Sequence, residues 1–96
     1  MQTAKHYIDG NWIDKGEKRA STNPADNSLV GNYHVGSKAL VDQAAGVSRS
    51  VFFNTSWQAS PRLRASVLFE FADRLAAAKD EIVDLIVAEN GKLRAE

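Results

Sequence analysis

The first feature of the chain is a short stretch in which bulky apolar residues alternate with polar ones around an Asp-Gly pair. Tyr7-Ile8 precede Asp9-Gly10, and Trp12-Ile13 follow it. An Asp-Gly pair between apolar residues favours a tight β-hairpin, because glycine accepts a positive φ without steric cost. The pattern predicts strands near residues 6–8 and 11–14.

A second hairpin is predicted after a polar turn at residues 15–19. An Asn-Pro pair and an Asp-Asn pair lie in the middle of the stretch 20–35, where turn residues are expected. Two strands alone are marginal in water, so both hairpins need a helix or a further sheet to pack on. The return strand of the second hairpin is marked by Leu29, Val30, Tyr33 and Val35.

The rest of the chain has the spacing of helices. Ser37 is placed to cap a helix over residues 38–53. Ser60 and Pro61 occupy the cap and the first position of a second, long helix, and Asn90-Gly91 is a stop signal. Lys79-Asp80 is a candidate jog in the long helix, at which Asp80 would cap a second segment. One side of the first helix carries the small or apolar residues Val41, Ala44, Ala45, Ser48, Val51 and Phe52.

The long helix is more apolar than an ordinary surface helix, whose single apolar stripe is a little over about 100° wide. Apolar side chains cover well over half of its circumference, beside a polar stripe that includes Glu70 and Asp73. Such a helix requires protein on two or three sides, and we expect it to self-associate or to be covered by a larger protein. Its apolar residues are Val67, Leu68, Phe69, Phe71, Ala72, Leu75, Ala76, Ile82, Val83, Leu85, Ile86 and Val87.

These elements predict an α+β fold, with two N-terminal β-hairpins over residues 1–36 and two amphipathic helices, the second long, over residues 37–96. Ninety-six residues fit one small domain or part of a larger one. The excess of apolar surface favours the second possibility. We therefore interpret residues 1–96 as an incomplete portion of a domain.

Composition and charge exclude several classes of function. Twelve Lys and Arg balance twelve Asp and Glu, so the chain has no net field to attract nucleic acid or an anionic membrane. The absence of cysteine excludes disulfides, thiolate zinc sites and a Cys nucleophile within the chain. The sequence has no signal-peptide pattern and no apolar run long enough to span a membrane. We expect a soluble cytoplasmic protein.

No catalytic, cofactor-binding or metal-ligating residue is predicted in this chain. His6 and His34 are the only histidines, and neither has the spacing of a metal site. The glycines match no dinucleotide or Walker motif, and Gly46 inside a helix indicates close backbone packing. Residues of other candidate types, interpreted as packing or surface positions, are Gly31, Gly36, Ser48, Ser50, Ser56, Ser60 and Ser66.

An acidic group on the long helix is a weaker candidate for a cation site. It lacks the alternating ligand spacing and central glycine of a calcium loop, so a solvated helix face is the better interpretation. Asn90-Gly91-Lys92 resembles an anion-binding turn, but Asn-Gly after a helix usually ends it. The acidic residues are Asp80, Glu81, Asp84 and Glu89.

Taken in order, several segments resemble the opening part of the NAD(P)-dependent aldehyde dehydrogenase superfamily. They are "YIDGNWID", "NPADNSLVGNYHV", "VDQAAGVSRSVFF", Trp57, "RLRASVLFEFADRLAAAKDEIVDL" and "ENGK". Val51-Phe52 replaces the usual Ala-Phe, and Thr22 replaces a common aliphatic residue before Asn-Pro. In members similar to betaine aldehyde dehydrogenases, the carbonyl before Asn-Pro can help to hold a monovalent cation, but Thr22 alone makes no site.

The resemblance implies that these hairpins and helices are scaffold on the outside of the cofactor-binding domain of an α/β parent enzyme. It implies that the parent oxidises an aldehyde to an acid with NAD or NADP. The catalytic cysteine, glutamate and asparagine of the family lie downstream of this segment. The segment alone is then inactive, and its partner is the rest of the enzyme. The alternative is a freestanding helical module that buries its apolar faces in a homo-oligomer. Under both hypotheses we expect the chain to self-associate through the long helix. A reading frame that continues past codon 96 would favour the first hypothesis, and a stop codon there the second.

Overall fold

The computed structural model of the protein describes residues 3–95, and this part of the chain has five strands followed by three helices. The strands are β1 (Thr3–Ala4), β2 (His6–Ile8), β3 (Asn11–Ile13), β4 (Lys18–Thr22) and β5 (Leu29–His34). The helices are α1 (Lys38–Asn54), α2 (Pro61–Ala77) and α3 (Lys79–Asn90). The predicted α+β class is confirmed.

The first predicted hairpin is formed by β2 and β3. The two strands pair antiparallel, with Tyr7 opposite Trp12, and the rings of these two residues lie 4.8 Å apart. Asp9 and Gly10 both have positive φ, 54° and 76°, as a tight two-residue hairpin turn requires. The Asp-Gly signal in the sequence therefore located this turn correctly.

The second predicted hairpin, β4 and β5, belongs to a three-stranded sheet with the order β1-β5-β4. Its turn is closed by a hydrogen bond from the Asn23 amide to the Ser28 carbonyl, 2.8 Å long. Two features were not predicted. Residues 18–19, predicted as part of a polar turn, form the start of β4. In addition, β1 pairs in parallel with β5. Two residues of strand carry too weak a pattern to be recognised in a sequence.

The predicted helix caps are confirmed at Ser37 and Ser60. Each hydroxyl accepts a hydrogen bond from the backbone amide three residues on, at 3.2 Å in both cases. These bonds satisfy amides that have no partner within the helix. At the other end of the helical region, Gly91 has the left-handed conformation of a helix stop, and its amide donates to the Val87 carbonyl at 2.9 Å.

The predicted long helix is divided into α2 and α3 at a single residue, Ala78. Its φ of −96° and ψ of 11° leave the helical region, and its amide is shared between the carbonyls of Arg74 and Leu75. The break comes just before the predicted jog, and Asp80 does not cap α3, which has no side-chain cap. Because alanine and lysine favour helix, local propensity does not explain the break. It accompanies the packing of α3 against β4 and β5.

The described residues do not enclose a hydrophobic core. No apolar side chain among residues 3–95 is buried, and the buried side chain in that range is His34. The radius of gyration is 16.9 Å, whereas a compact domain of this length has about 12.5 Å. The main contacts between layers are those of α1 with β2 and of α3 with α2, β4 and β5. This arrangement leaves α2 as an outlying helix.

Candidate interaction surface

The residue types that could carry chemistry are scattered or already engaged. Residues 3–95 contain no group of three or more His, Cys, Asp or Glu side chains placed to hold a metal ion. The Ser48 hydroxyl donates to the Ala44 carbonyl at 2.8 Å, and Ser50 accepts a bond from the Asn54 amide group at 3.2 Å. These bonds lie within one helix. They give the serines a local structural role.

The acidic residues of α3 form an ion pair with Arg94 and line a groove beside the three-stranded sheet. Asp84 pairs with Arg94 at 2.5 Å, and this carboxylate raises the pKa of the Arg94 guanidinium above its ordinary value. Glu81, Asp84 and Glu89 line one side of an open groove between α3 and the three-stranded sheet, with a volume of about 600 Å³. The opposite side includes Asn32 and Tyr33 of β5. The groove is acidic on one wall and mixed on the other.

Most of the remaining surface of interest is apolar, and its largest part lies on α2. Phe69 is 75 % exposed and Phe71 is 59 % exposed, values far above those of aromatic side chains in a finished core. At 100° per residue, the apolar positions of α2 cover an arc of about 200°. We define the α2 apolar face as Val67, Leu68, Phe69, Phe71, Ala72, Leu75 and Ala76.

Helix α1 carries a second apolar surface. The rings of Phe52 and Phe53 meet edge to face at 5.1 Å, and the Arg49 guanidinium lies 5.0 Å from the centre of the Phe53 ring. Even so, Phe53 and Val41 remain more than half exposed. Between α1 and the turn of the first hairpin is an open groove of about 520 Å³, lined by Asp9, Gly10, Val47, Ser48, Val51, Phe52 and Trp57.

Gly46 lies inside α1, where we expected close backbone packing to explain it. A Cβ placed on Gly46 meets no heavy atom within 4 Å. Among residues 3–95, therefore, the expected packing partner of Gly46 is not present. Ser48 and Val51 come after Gly46 on α1, and both line the groove between α1 and the turn of the first hairpin.

The first hairpin adds an aromatic pair. The rings of Tyr7 and Trp12 contact each other across the strands at an angle of 55°, but Trp12 is 70 % exposed. Cross-strand aromatic pairs stabilise a hairpin by roughly 0.2–1 kcal/mol, which is too little to hold two strands in water without further packing. The outer side of this pair is a third apolar surface.

Arg64 is a contact residue that the sequence analysis did not predict. Its guanidinium donates to the carbonyls of Trp57 and Gln58, at 3.2 and 2.9 Å. These bonds fix the start of α2 to the turn that follows α1. Because they join residues six and seven positions apart across an irregular turn, no periodic pattern reveals them.

These surfaces are suited to burial against protein and not to chemistry. Fully burying one Val, Leu or Phe side chain stabilises a protein by about 1.5–3 kcal/mol. Contiguous apolar patches of this kind are rarely left exposed and mark sites of interaction. No helix among residues 3–95 combines the length and the apolar character needed to cross a membrane.

Comparison with known proteins agrees with the order of segments described above. The model of the aldehyde dehydrogenase family matches residues 12–96. Malonate-semialdehyde dehydrogenase of Listeria monocytogenes serotype 4a (strain HCC23) is 39 % identical over 98 aligned positions, which cover 100 % of this chain and 20 % of the relative. The protein of the same name from Listeria innocua is 38 % identical with the same coverage.

A relative from Geobacillus kaustophilus, malonate-semialdehyde dehydrogenase 2, is 30 % identical over 96 % of this chain and 19 % of its own length. The chain thus spans about a fifth of the length of these curated relatives. These relatives are named malonate-semialdehyde dehydrogenases, so the similarity to betaine aldehyde dehydrogenases stays a prediction. The match over residues 12–96 shows that the chain belongs to the aldehyde dehydrogenase family and corresponds to its N-terminal segment.

Proposed function

We propose that this chain is a structural scaffold of an NAD(P)-dependent aldehyde dehydrogenase, and that the parent enzyme oxidises an aldehyde to a carboxylic acid. The observation that carries the proposal is the α2 apolar face, which lies exposed on an outlying helix. In the whole enzyme this face packs on the remainder of the cofactor-binding domain. Residues 1–36 and 37–96 form two parts of that incomplete domain, within an α/β parent fold.

The described residues do not fit a dinucleotide cofactor. A dinucleotide needs backbone amides at a helix N-terminus for its pyrophosphate, and here Ser37 and Ser60 already occupy amides at the starts of α1 and α2. The groove between α3 and the three-stranded sheet does not suit the pyrophosphate either, because Glu81, Asp84 and Glu89 would repel it. NAD or NADP therefore belongs to the rest of the enzyme, and no residue here is assigned to it.

The segment by itself is inactive in this proposal. It has no cysteine, so it cannot form the covalent thiohemiacetal on which aldehyde oxidation in this family depends. The parent is a cytoplasmic oxidoreductase in this proposal. The names of the relatives make malonate semialdehyde the first substrate to test, as a small aldehyde that carries a carboxylate.

A chimeric enzyme tests the proposal. The N-terminal fifth of the Listeria monocytogenes relative is replaced by residues 1–96 of this chain, and reduction of NAD and of NADP is followed with malonate semialdehyde. We expect a soluble chimera that reduces the cofactor, whereas the 96-residue chain alone produces no reduced cofactor. Turnover by the chain alone would contradict the scaffold role. A chimera that cannot fold would contradict the equivalence of the two segments.

A second candidate is a freestanding helical module that forms a homo-oligomer. The supporting observation is that α1 and α2 both expose aromatic side chains, which a second copy would cover. Sedimentation of the 96-residue chain separates the two candidates when it is combined with circular dichroism. A well-folded oligomer of fixed size favours the module, and a poorly ordered or heterogeneous chain favours the scaffold.

A further inference from the structure

The segment that joins the two sheets is held by both histidines of the chain. It consists of residues 14–17, between β3 and β4. The His6 Nε2 atom lies 3.2 Å from the carbonyl oxygen of Lys15, and the His34 Nδ1 atom lies 3.0 Å from that of Gly16. A backbone bond from the Val35 amide to the Glu17 carbonyl, 2.8 Å long, continues the series. Three consecutive carbonyls of the linker are thus each bound.

His34 is the buried member of this arrangement. Its side chain is 4 % exposed, and its Nε2 atom lies against the Oδ1 atom of Asp14 in an ion-pair contact that is out of line for a hydrogen bond. A carbonyl oxygen only accepts hydrogen bonds, so the bond to Gly16 fixes a proton on Nδ1. In a neutral ring, Nε2 would then present its lone pair to a carboxylate oxygen of Asp14, whose side chain is 57 % exposed.

Placing a second proton on Nε2 turns this repulsion into attraction. The ring becomes a cation, both of its nitrogens become donors, and each nitrogen faces an oxygen of the same linker. His6 differs, because a single proton on Nε2 is sufficient for its bond to Lys15. Three ionisable groups surround His34. Asp14 favours the charged form of the His34 ring. A positive charge on Lys18, which pairs with His34 across the sheet, or on the His6 ring, 6.3 Å away, opposes it.

We propose that His34 is a protonation-dependent clasp. When both ring nitrogens carry a proton, His34 holds the linker, residues 14–17, against β5. When Nε2 loses its proton, His34 releases the contact with Asp14. The clasp tightens as the pH falls and loosens as the pH rises. It acts on the linker that joins the first hairpin to the three-stranded sheet.

Histidine-selective ¹⁵N labelling of the chimeric enzyme tests the proposal directly, and His34→Gln identifies the signals of the His34 ring. At the acidic end of a pH titration we expect the His34 ring to show both nitrogens protonated. At the alkaline end we expect it to keep the Nδ1 proton and lose that on Nε2. His6→Gln identifies the signals of the His6 ring. A His34 ring that carries its single proton on Nε2 at high pH, or one that never gains a second proton on acidification, would overturn the proposal.

A pair of variants separates the clasp from general damage to the hairpin. Asp14→Asn removes the charge that faces Nε2 with little change in shape, and Asp9→Asn is its control in the turn of the same hairpin, where Asn is well accepted. We expect Asp14→Asn to speed hydrogen exchange of the Val35 amide about tenfold at about pH 6. We expect Asp9→Asn to leave that exchange unchanged. Equal exchange in the two variants would refute the clasp even if the ring titrates.

Discussion

Gly16 lies so close to Val35 that a Cβ atom on Gly16 would overlap the Val35 carbonyl oxygen. The same residue has a φ of 107°, a conformation that side chains with a Cβ rarely adopt. The linker between the two sheets therefore depends on glycine for two independent reasons. Its carbonyl is also the one that His34 holds.

Gly16→Ala should accordingly destabilise the hairpin region by about 2–5 kcal/mol, from backbone strain and steric overlap together. Urea unfolding of the chimeric enzyme measures the loss. Gly36→Ala is the matched control, because a Cβ at Gly36 would be 3.9 Å from the His6 ring, an ordinary contact. Equal effects of the two substitutions would show that the linker is not constrained as described.

Gly46→Ala should have opposite effects in two settings. In the isolated chain the new methyl group enters open space, and alanine in place of glycine favours the helix by about 0.5–1 kcal/mol. Circular dichroism should therefore show more helix. In the chimeric enzyme the same methyl group should lower the melting temperature, because we expect the rest of the protein to pack on α1 at Gly46. A gain in both settings would argue against close packing at Gly46.

Phe71→Asp should prevent the chimeric enzyme from assembling, while Asp73→Ala on the polar side of α2 should change little. Truncating a buried Phe costs about 3–5 kcal/mol, and burying a carboxylate adds to that cost. Both variants are compared by soluble yield and by the rate of cofactor reduction. An active Phe71→Asp chimera would mean that the α2 apolar face stays exposed in the enzyme.

The turn of the second hairpin should depend on pH through Asp26. Hydrogen bonds from the Ser28 hydroxyl and amide, at 2.6 and 2.9 Å, lower the pKa of the Asp26 carboxyl below its ordinary value. A lowered pKa in the folded state stabilises the turn at pH values above the unfolded pKa, and this contribution is lost as the pH falls through the folded pKa. Titration followed by carboxyl NMR measures it.

Ser28→Ala removes the largest cause of the lowered pKa and should raise the pKa of Asp26 toward its unfolded value. Ser66→Ala, on exposed α2, is the control and should leave the Asp26 titration as it is. If the two variants titrate alike, the hydroxyl bond to Asp26 does not form in solution.

Features encoded within a few residues were predicted well. The Asp9-Gly10 turn, the caps at Ser37 and Ser60 and the stop at Gly91 all follow from local backbone chemistry. The excess of apolar residues on the long helix also indicated correctly that this chain would not enclose a core of its own. The absence of a catalytic or cofactor-binding residue stays a prediction, which the chimeric enzyme and the isolated chain will test.

The sequence by itself determined the Asp9-Gly10 turn, the caps at Ser37 and Ser60, the stop at Gly91 and the family, because each of these rests on residue types and their spacing along the chain. Only the tertiary structure decided the parallel pairing of β1 with β5, the break at Ala78 and the burial of His34 beside Asp14. These features depend on contacts between residues far apart in sequence. Such contacts are set by how whole elements pack, and no local pattern of side chains records that packing.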